Sequence, residues 1–103
     1  MKCFVTFRLK PEVSPEEYED WFRRENVPAA RTMQSTRSYR VWRIVGAMEG
    51  TPAFEYLEEM ELDDREAFEH EVETLPEMAA MLEAWYGRVA DQVVVYGEEV
   101  PQD

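Results

Sequence analysis

The sequence predicts an α+β fold of β-α-β-β-α-β order, and three observations carry that expectation. Lys2 to Leu9 alternates Cys3, Val5, Phe7 and Leu9 against Phe4, Thr6 and Arg8, the period of a strand with one apolar face. Ser14-Pro15-Glu16-Glu17 sets a capping serine, a proline at the first helical position and a glutamate three residues after the cap, which starts a helix. Two strand-like runs then flank the segment from Gly46 to Pro52, whose two glycines and proline make a hairpin loop. At 103 residues, with no Gly/Ser-rich linker, low-complexity tract or exact repeat, the chain reads as one domain over residues 1–103.

The elements follow in order. Lys10-Pro11 ends the first strand. The first helix carries Tyr18, Trp21, Phe22 and Glu25 at helical spacing until Pro28 weakens it. Thr36 to Val45 is the second strand and Phe54 to Leu62 the third. Asp63 or Asp64 caps a helix through Ala67, Phe68 and Val72. Pro76 forces a break or a new N-terminus near Thr74, after which Leu75, Met78, Leu82, Trp85 and Val89 mark one face of a second piece. Gln92 to Tyr96 is the fourth strand, and the acidic tail from Glu98 is expected to fray.

This order is the ferredoxin-like one, a four-stranded antiparallel sheet with helices on one face. The other face ought to be polar in a monomer, yet Phe4, Trp42, Ile44, Leu57 and one side of Val93-Val94-Val95 fall on it. Two such sheets packed face to face make a dimeric α+β barrel, so a homodimer is expected.

Composition narrows the partners. A net charge of −12 repels nucleic acid and anionic lipid, and no apolar run approaches the roughly 20 residues that span a bilayer. The N-terminus MKCFVTFRLK does not read as a signal peptide, and one cysteine fits a reducing compartment, so a cytoplasmic protein is the expectation. Cys3 reads as a buried structural thiol. With one Cys and one His the usual zinc set is lacking, no EF-hand spacing occurs, and no cofactor is expected. Eight of the eleven basic residues lie between Arg8 and Arg43 while Glu49 to Glu83 is almost wholly acidic, which suggests that the halves pair electrostatically.

The stretch "SYRVWRIV" (38–45) raises the question of a site, because it places Arg40 and Arg43 on opposite faces of one strand. The register that keeps apolar residues together groups Tyr39, Val41, Arg43 and Val45 with Phe54, Tyr56, Glu58 and Met60. Arg40, Trp42 and Ile44 then share the other face with Glu55, Leu57, Glu59 and Glu61, where Arg40 reads as part of a solvated ion-pair cluster.

Arg43 and Glu58 fall on the helix-facing side, where an unpaired charge costs several kcal/mol. They are either a buried ion pair or a pair presented to a ligand. Glu25, four residues after Trp21, brings a second carboxyl to that side as a candidate acid or base. Glu25, Arg43 and Glu58 are therefore the candidate catalytic residues, and Trp21, Tyr39, Tyr56 and Trp85 the candidate substrate-binding ones. All are expected around a cavity between helices and sheet, with Met78 and Met81 able to line it for a flat ligand. His70, among Glu69, Glu71 and Glu73, reads as a solvated helix face.

Phe7-Arg8-Leu9-Lys10-Pro11, then Tyr18 and Trp21, Val27-Pro28-Ala29-Ala30-Arg31, Arg37-Ser38-Tyr39-Arg40-Val41 and Glu55-Tyr56-Leu57-Glu58 resemble the RedY-like/HapK family. That family belongs to the dimeric α+β barrel superfamily and is associated with prodigiosin-type pyrrole pigment biosynthesis. The resemblance implies a homodimer in secondary metabolism, acting on a small aromatic or pyrrolic ligand near bipyrrole assembly. It transfers no catalytic residue. Related EthD-type barrels often follow a first-helix tryptophan with histidine four residues on, whereas Trp21 is followed here by Glu25. Two functions follow: a cofactor-free cyclase, isomerase or condensation-assisting enzyme, or a non-catalytic module that binds and shields a reactive intermediate. A haem-degrading monooxygenase is the weaker third, since His70 is a poor axial ligand.

Overall fold

A computed structural model describes residues 1–103 and has the expected element order. β1 (Lys2–Leu9) leads to α1 (Pro15–Trp21), which runs without a break through a π-helical turn (Phe22–Asn26) into α2 (Val27–Ala30). β2 (Thr36–Arg43) and β3 (Tyr56–Leu62) form the hairpin, followed by α3 (Arg65–Thr74), α4 (Pro76–Tyr86) and β4 (Val89–Gly97). The sheet order is β2-β3-β1-β4, with every pairing antiparallel and helices on one face. No helix is long and apolar enough to cross a membrane.

Local chemistry explains the boundaries. Ser14 Oγ accepts the Glu17 N–H at 3.1 Å and starts α1. Asp64, rather than Asp63, caps α3 by accepting the Ala67 N–H at 2.9 Å, which leaves Asp63 to pair with Arg37. Leu75 is extended, with ψ 124°, because the following Pro76 disfavours helix there, and this one residue separates α3 from α4. Four strand limits differ from expectation: β2 stops at Arg43, β3 starts at Tyr56, and β4 runs from Val89, a residue expected on the preceding helix, to Gly97. The early start of β4 is allowed by a bulge opposite Phe7, where Asp91 takes a left-handed φ of 55°. Aspartate tolerates that conformation better than most residues.

The inner face buries Cys3, Val5, Phe7 and Leu9 from β1 with Tyr56, Glu58, Met60 and Leu62 from β3. Phe7 sits at the centre, stacked on Tyr56 at 5.3 Å, tilted on Tyr18 at 5.5 Å and edge-on to Trp85 at 5.4 Å. The outer face carries two rows across the sheet: Trp42, Leu57, Thr6 and Val93, then Arg40, Glu59, Phe4 and Val95. Trp42, Val93 and Val95 are each about half exposed there. The expected electrostatic pairing of the two halves is realised in part, with Lys2–Glu59 and Arg8–Asp91 running between them. Arg37–Asp63 joins them, but Arg24–Asp20 and Arg43–Glu19 both close within the first half.

Candidate functional site

The face parity expected for the hairpin holds: Tyr39 lies opposite Met60, Val41 opposite Glu58 and Arg43 opposite Tyr56. The expected Arg43–Glu58 pair does not form. Arg43 sits at the end of β2, more than half exposed, and its Nε donates to Glu19 Oε2 at 2.7 Å. The same Oε2 accepts the Tyr56 hydroxyl at 2.7 Å, so Glu19 of α1 clasps both strands of the hairpin. Arg43 and then Tyr56 hold the Glu19 carboxyl below its usual range, while burial and then Glu19 hold the Tyr56 phenol above its own. Sequence reasoning missed Glu19. Its only signal was a position one turn from Pro15, on the side of α1 that meets the hairpin.

Glu58 is in a different setting. A cavity of about 150 Å³ lies between the inner sheet face and the helices, and Glu58 opens onto it. Of its fifteen lining residues only Glu58 and Asn26 carry a carboxyl or an amide, and no arginine, lysine or histidine is among them. Cys3, Met60, Phe68, Met78, Met81 and Trp85 supply apolar wall, and the half-exposed Tyr86 and Val94 mark where it meets the surface. Glu58 is 5% exposed, and its partner is Tyr39, whose hydroxyl lies 2.7 Å from Oε1. Burial pushes the Glu58 carboxyl up to about 7, the Tyr39 hydrogen bond opposing part of the shift. The Tyr39 and Tyr18 phenols are held well above their ordinary range by burial and then by the Glu58 charge, and the same two causes push the Cys3 thiol up to about 11. The cavity therefore holds one group that changes charge near neutral pH, surrounded by acids that stay protonated.

The structure thus brings together Glu58, Tyr39 and Trp85 from the expected set, with Met78 and Met81. Trp21, Tyr56, Glu25 and Arg43 lie elsewhere. Trp21 is buried, packs on Tyr18 at 5.7 Å and carries the Arg88 guanidinium 4.7 Å from its ring centre. Tyr56 faces Glu19. Glu25 is exposed, along a surface groove with Arg24, Pro28 and Arg88.

The reason for the Glu25 error is the π-helical turn. In an α-helix the residue below Trp21 is four further on, Glu25; here the Val27 N–H bonds the Phe22 carbonyl, five residues back, and the inward position passes to Asn26. Pro28 favours this wider turn, since it donates no hydrogen bond and its ring would press on the Arg24 carbonyl. Asn26, 1% exposed, was missed, and Pro28 two residues later was its signal. Among the other candidates, Arg40 lies opposite Glu59, whose carboxylate pairs with Lys2, while Glu55 accepts the Leu9 N–H at 3.0 Å. His70 is exposed on α3.

A ferredoxin-like α+β fold with an apolar, acid-bearing cavity under its helices defines the class of protein. The chain belongs to the REDY-like protein HapK family, whose model matches residues 1–100. HapK from Hahella chejuensis superposes with a TM-score of 0.74 at 20% identity, over 100% of this chain and 96% of that one. The Arabidopsis thaliana protein At3g17210 gives a TM-score of 0.82 at 15% identity, over 98% and 97%. A dimeric ferredoxin-like protein from Thermobifida fusca gives 0.73 at 19% identity, over 91% and 85%. No curated protein matches the sequence.

Proposed function

We propose that this protein binds a small planar ring compound in the cavity and moves a proton on it through Glu58, assisting formation or condensation of a pyrrolic intermediate in prodigiosin-type pigment biosynthesis. The observation that carries the chemistry is the Glu58 carboxyl, buried without a cation and pushed up to about 7, so that both its forms are populated near neutral pH. Membership of the HapK family supports the pigment pathway.

The cavity argues for the ligand's size and charge. A space of about 150 Å³ admits roughly one benzene-sized ring, so one ring of a bipyrrole would seat and the second would extend past Tyr86 and Val94. An N–H of the ring is a natural donor to Glu58. With no cation in the wall, a carboxylate or phosphate on the seated ring has nothing to pair with and is disfavoured.

Tyr39 already occupies Glu58 Oε1, and burial keeps the Tyr39 phenol and the Cys3 thiol protonated, which supports a second reading as a non-catalytic carrier that shields the ring. Incubation with pyrrole, bipyrrole and indole compounds, followed by mass spectrometry, separates the two. Turnover that is lost in Glu58→Gln is the expected result; retention of unchanged compound establishes the carrier. Neither binding nor turnover of any ring compound removes both readings.

The homodimer belongs to the same proposal. Trp42, Val93 and Val95 stand about half exposed on the outer sheet face, and the T. fusca neighbour is dimeric. The active unit is then two sheets face to face, with both cavities on the outside under the helices. Sedimentation should give a dimer at micromolar concentration that Trp42→Glu dissociates; a monomeric wild type excludes the barrel.

A further inference from the structure

A second depression lies outside the Glu58 cavity, at the edge of the sheet. β2 is an end strand, and between its start and the end of α2 the surface forms an open groove of about 440 Å³. Phe22, Val27, Ala30, Met33 and Tyr39 make its apolar part, with the Phe22 ring stacked on Tyr39 at 6.0 Å. Arg31, Thr36, Arg37 and Ser38 make its polar part, and no carboxylate lines it. On a chain with 23 acidic and 11 basic residues that is a local reversal of charge. Two other grooves, which hold Arg24 and Arg88, also hold acids: Glu25 and Glu77 in one, Glu17 and Asp20 in the other.

The two arginines are not in the same state. Arg37 donates from Nε to Asp63, which offsets its charge. Arg31, the residue that follows α2, is exposed and takes part in no ion pair. Arg31 is therefore the uncompensated charge of the groove. Thr36 adds a buried hydroxyl with no hydrogen-bond partner in the protein, an uncommon state for a polar group. The carbonyls at the end of α2 are already engaged, since those of Val27, Ala29 and Ala30 accept the N–H groups of Arg31, Thr32 and Met33. The donors of this groove thus outnumber its free acceptors.

We propose that this groove is a binding site for a planar aromatic carboxylate, with the carboxylate on Arg31 and the ring against the apolar wall built by Phe22 and Tyr39. A guanidinium meets a carboxylate through two parallel N–H···O bonds, and the aromatic wall takes up the ring. A monoanion fits better than a phosphate dianion, because Asp63 already occupies Arg37 and the net charge of −12 repels each added negative charge. The groove accepts the class of compound that the Glu58 cavity, lined without a cation, disfavours. Met33 and Tyr39 line both spaces, so the two ligands sit as neighbours. The inference goes beyond the proton-transfer reading and does not depend on it, since Glu58 is not part of the groove.

The test is a titration of isotope-labelled full-length protein with benzoate, near neutral pH and at low salt, read by NMR at the backbone amides. The expected result is a set of saturable shifts at Ala30, Arg31, Thr36 and Ser38, with benzamide and inorganic phosphate each binding more weakly than benzoate. Arg31→Gln should weaken benzoate about tenfold, the loss of a charge-assisted pair, and Arg31→Lys should recover part of it. Arg24→Gln, which removes the same charge from another groove, should leave the affinity unchanged. Shifts that do not saturate, or that centre on Met78, Met81 and Tyr86 of the cavity, overturn the proposal. So does an Arg31→Gln protein that binds as wild type, or an Arg24→Gln protein weakened equally. Benzamide or phosphate binding as tightly as benzoate overturns the assigned ligand class. Benzoate binding in a protein that converts no ring compound removes the proton-transfer reading and leaves the groove standing. Turnover without benzoate binding removes the groove alone.

Discussion

Glu19 and Glu58 each accept a tyrosine hydroxyl at 2.7 Å, from Tyr56 and Tyr39, and their carboxyls are nonetheless displaced in opposite directions. Glu19 has the Arg43 guanidinium beside it and partial access to water, and these hold it ionised. Glu58 has neither, and burial prevails over its single hydrogen bond. A tyrosine partner alone therefore does not decide the charge of a glutamate in this fold. The cation does, and its position at the end of β2, next to α1 rather than next to the cavity, is what divides a clasp from a candidate acid.

The largest expected effect tests the cavity side of this comparison. The Glu58 carboxyl lies at about 7 in the folded chain against an ordinary 4.5, so the native state binds the extra proton between those values. Stability associated with Glu58 is complete below about 4.5 and falls as pH rises through about 7. The full displacement corresponds to about 3 kcal/mol at alkaline pH. Glu58→Gln, which cannot ionise, should equal or fall slightly below wild type at pH 5 and exceed it at pH 8. Urea unfolding of both proteins at the two pH values measures the double difference. A wild type that loses no stability relative to Glu58→Gln between pH 5 and 8 would show that Glu58 is solvated or paired after all.

The same comparison shows what could be read from the residues and what could not. The alternation in β1, the Ser14 cap, the break at Leu75-Pro76 and the hairpin parity are all encoded within a few neighbours, and a local rule finds each. Parity placed Glu58, Tyr39 and Arg43 on the helix side correctly. It could not say which carboxylate Arg43 would meet, because that depends on where α1 crosses the hairpin, and the long arginine side chain reaches Glu19 from the strand's end. Glu25 fails for a different reason. One extra residue in the turn before Val27 rotates the inward position by one, a change that 3.6-residue counting cannot register.

The smallest expected effect tests the clasp. Arg43→Met removes a guanidinium that is more than half exposed, so the loss of stability near neutral pH should be small, even though the ion pair is short. Its mark should appear in acid. The folded Glu19 carboxyl is held below its ordinary value, so the stability tied to it is present above that value and is lost as pH falls through the depressed one. Without Arg43 the carboxyl should protonate at a higher pH, and unfolding in acid should begin earlier. Tyr56 still donates to Glu19, so part of the depression should survive. Because Arg43 is absent from the cavity wall, the Glu58 midpoint and the binding of ring compounds should both match wild type. An Arg43→Met protein with a displaced Glu58 midpoint or lost ring binding would mean that clasp and cavity work as one site, and the division between the two glutamates would fail.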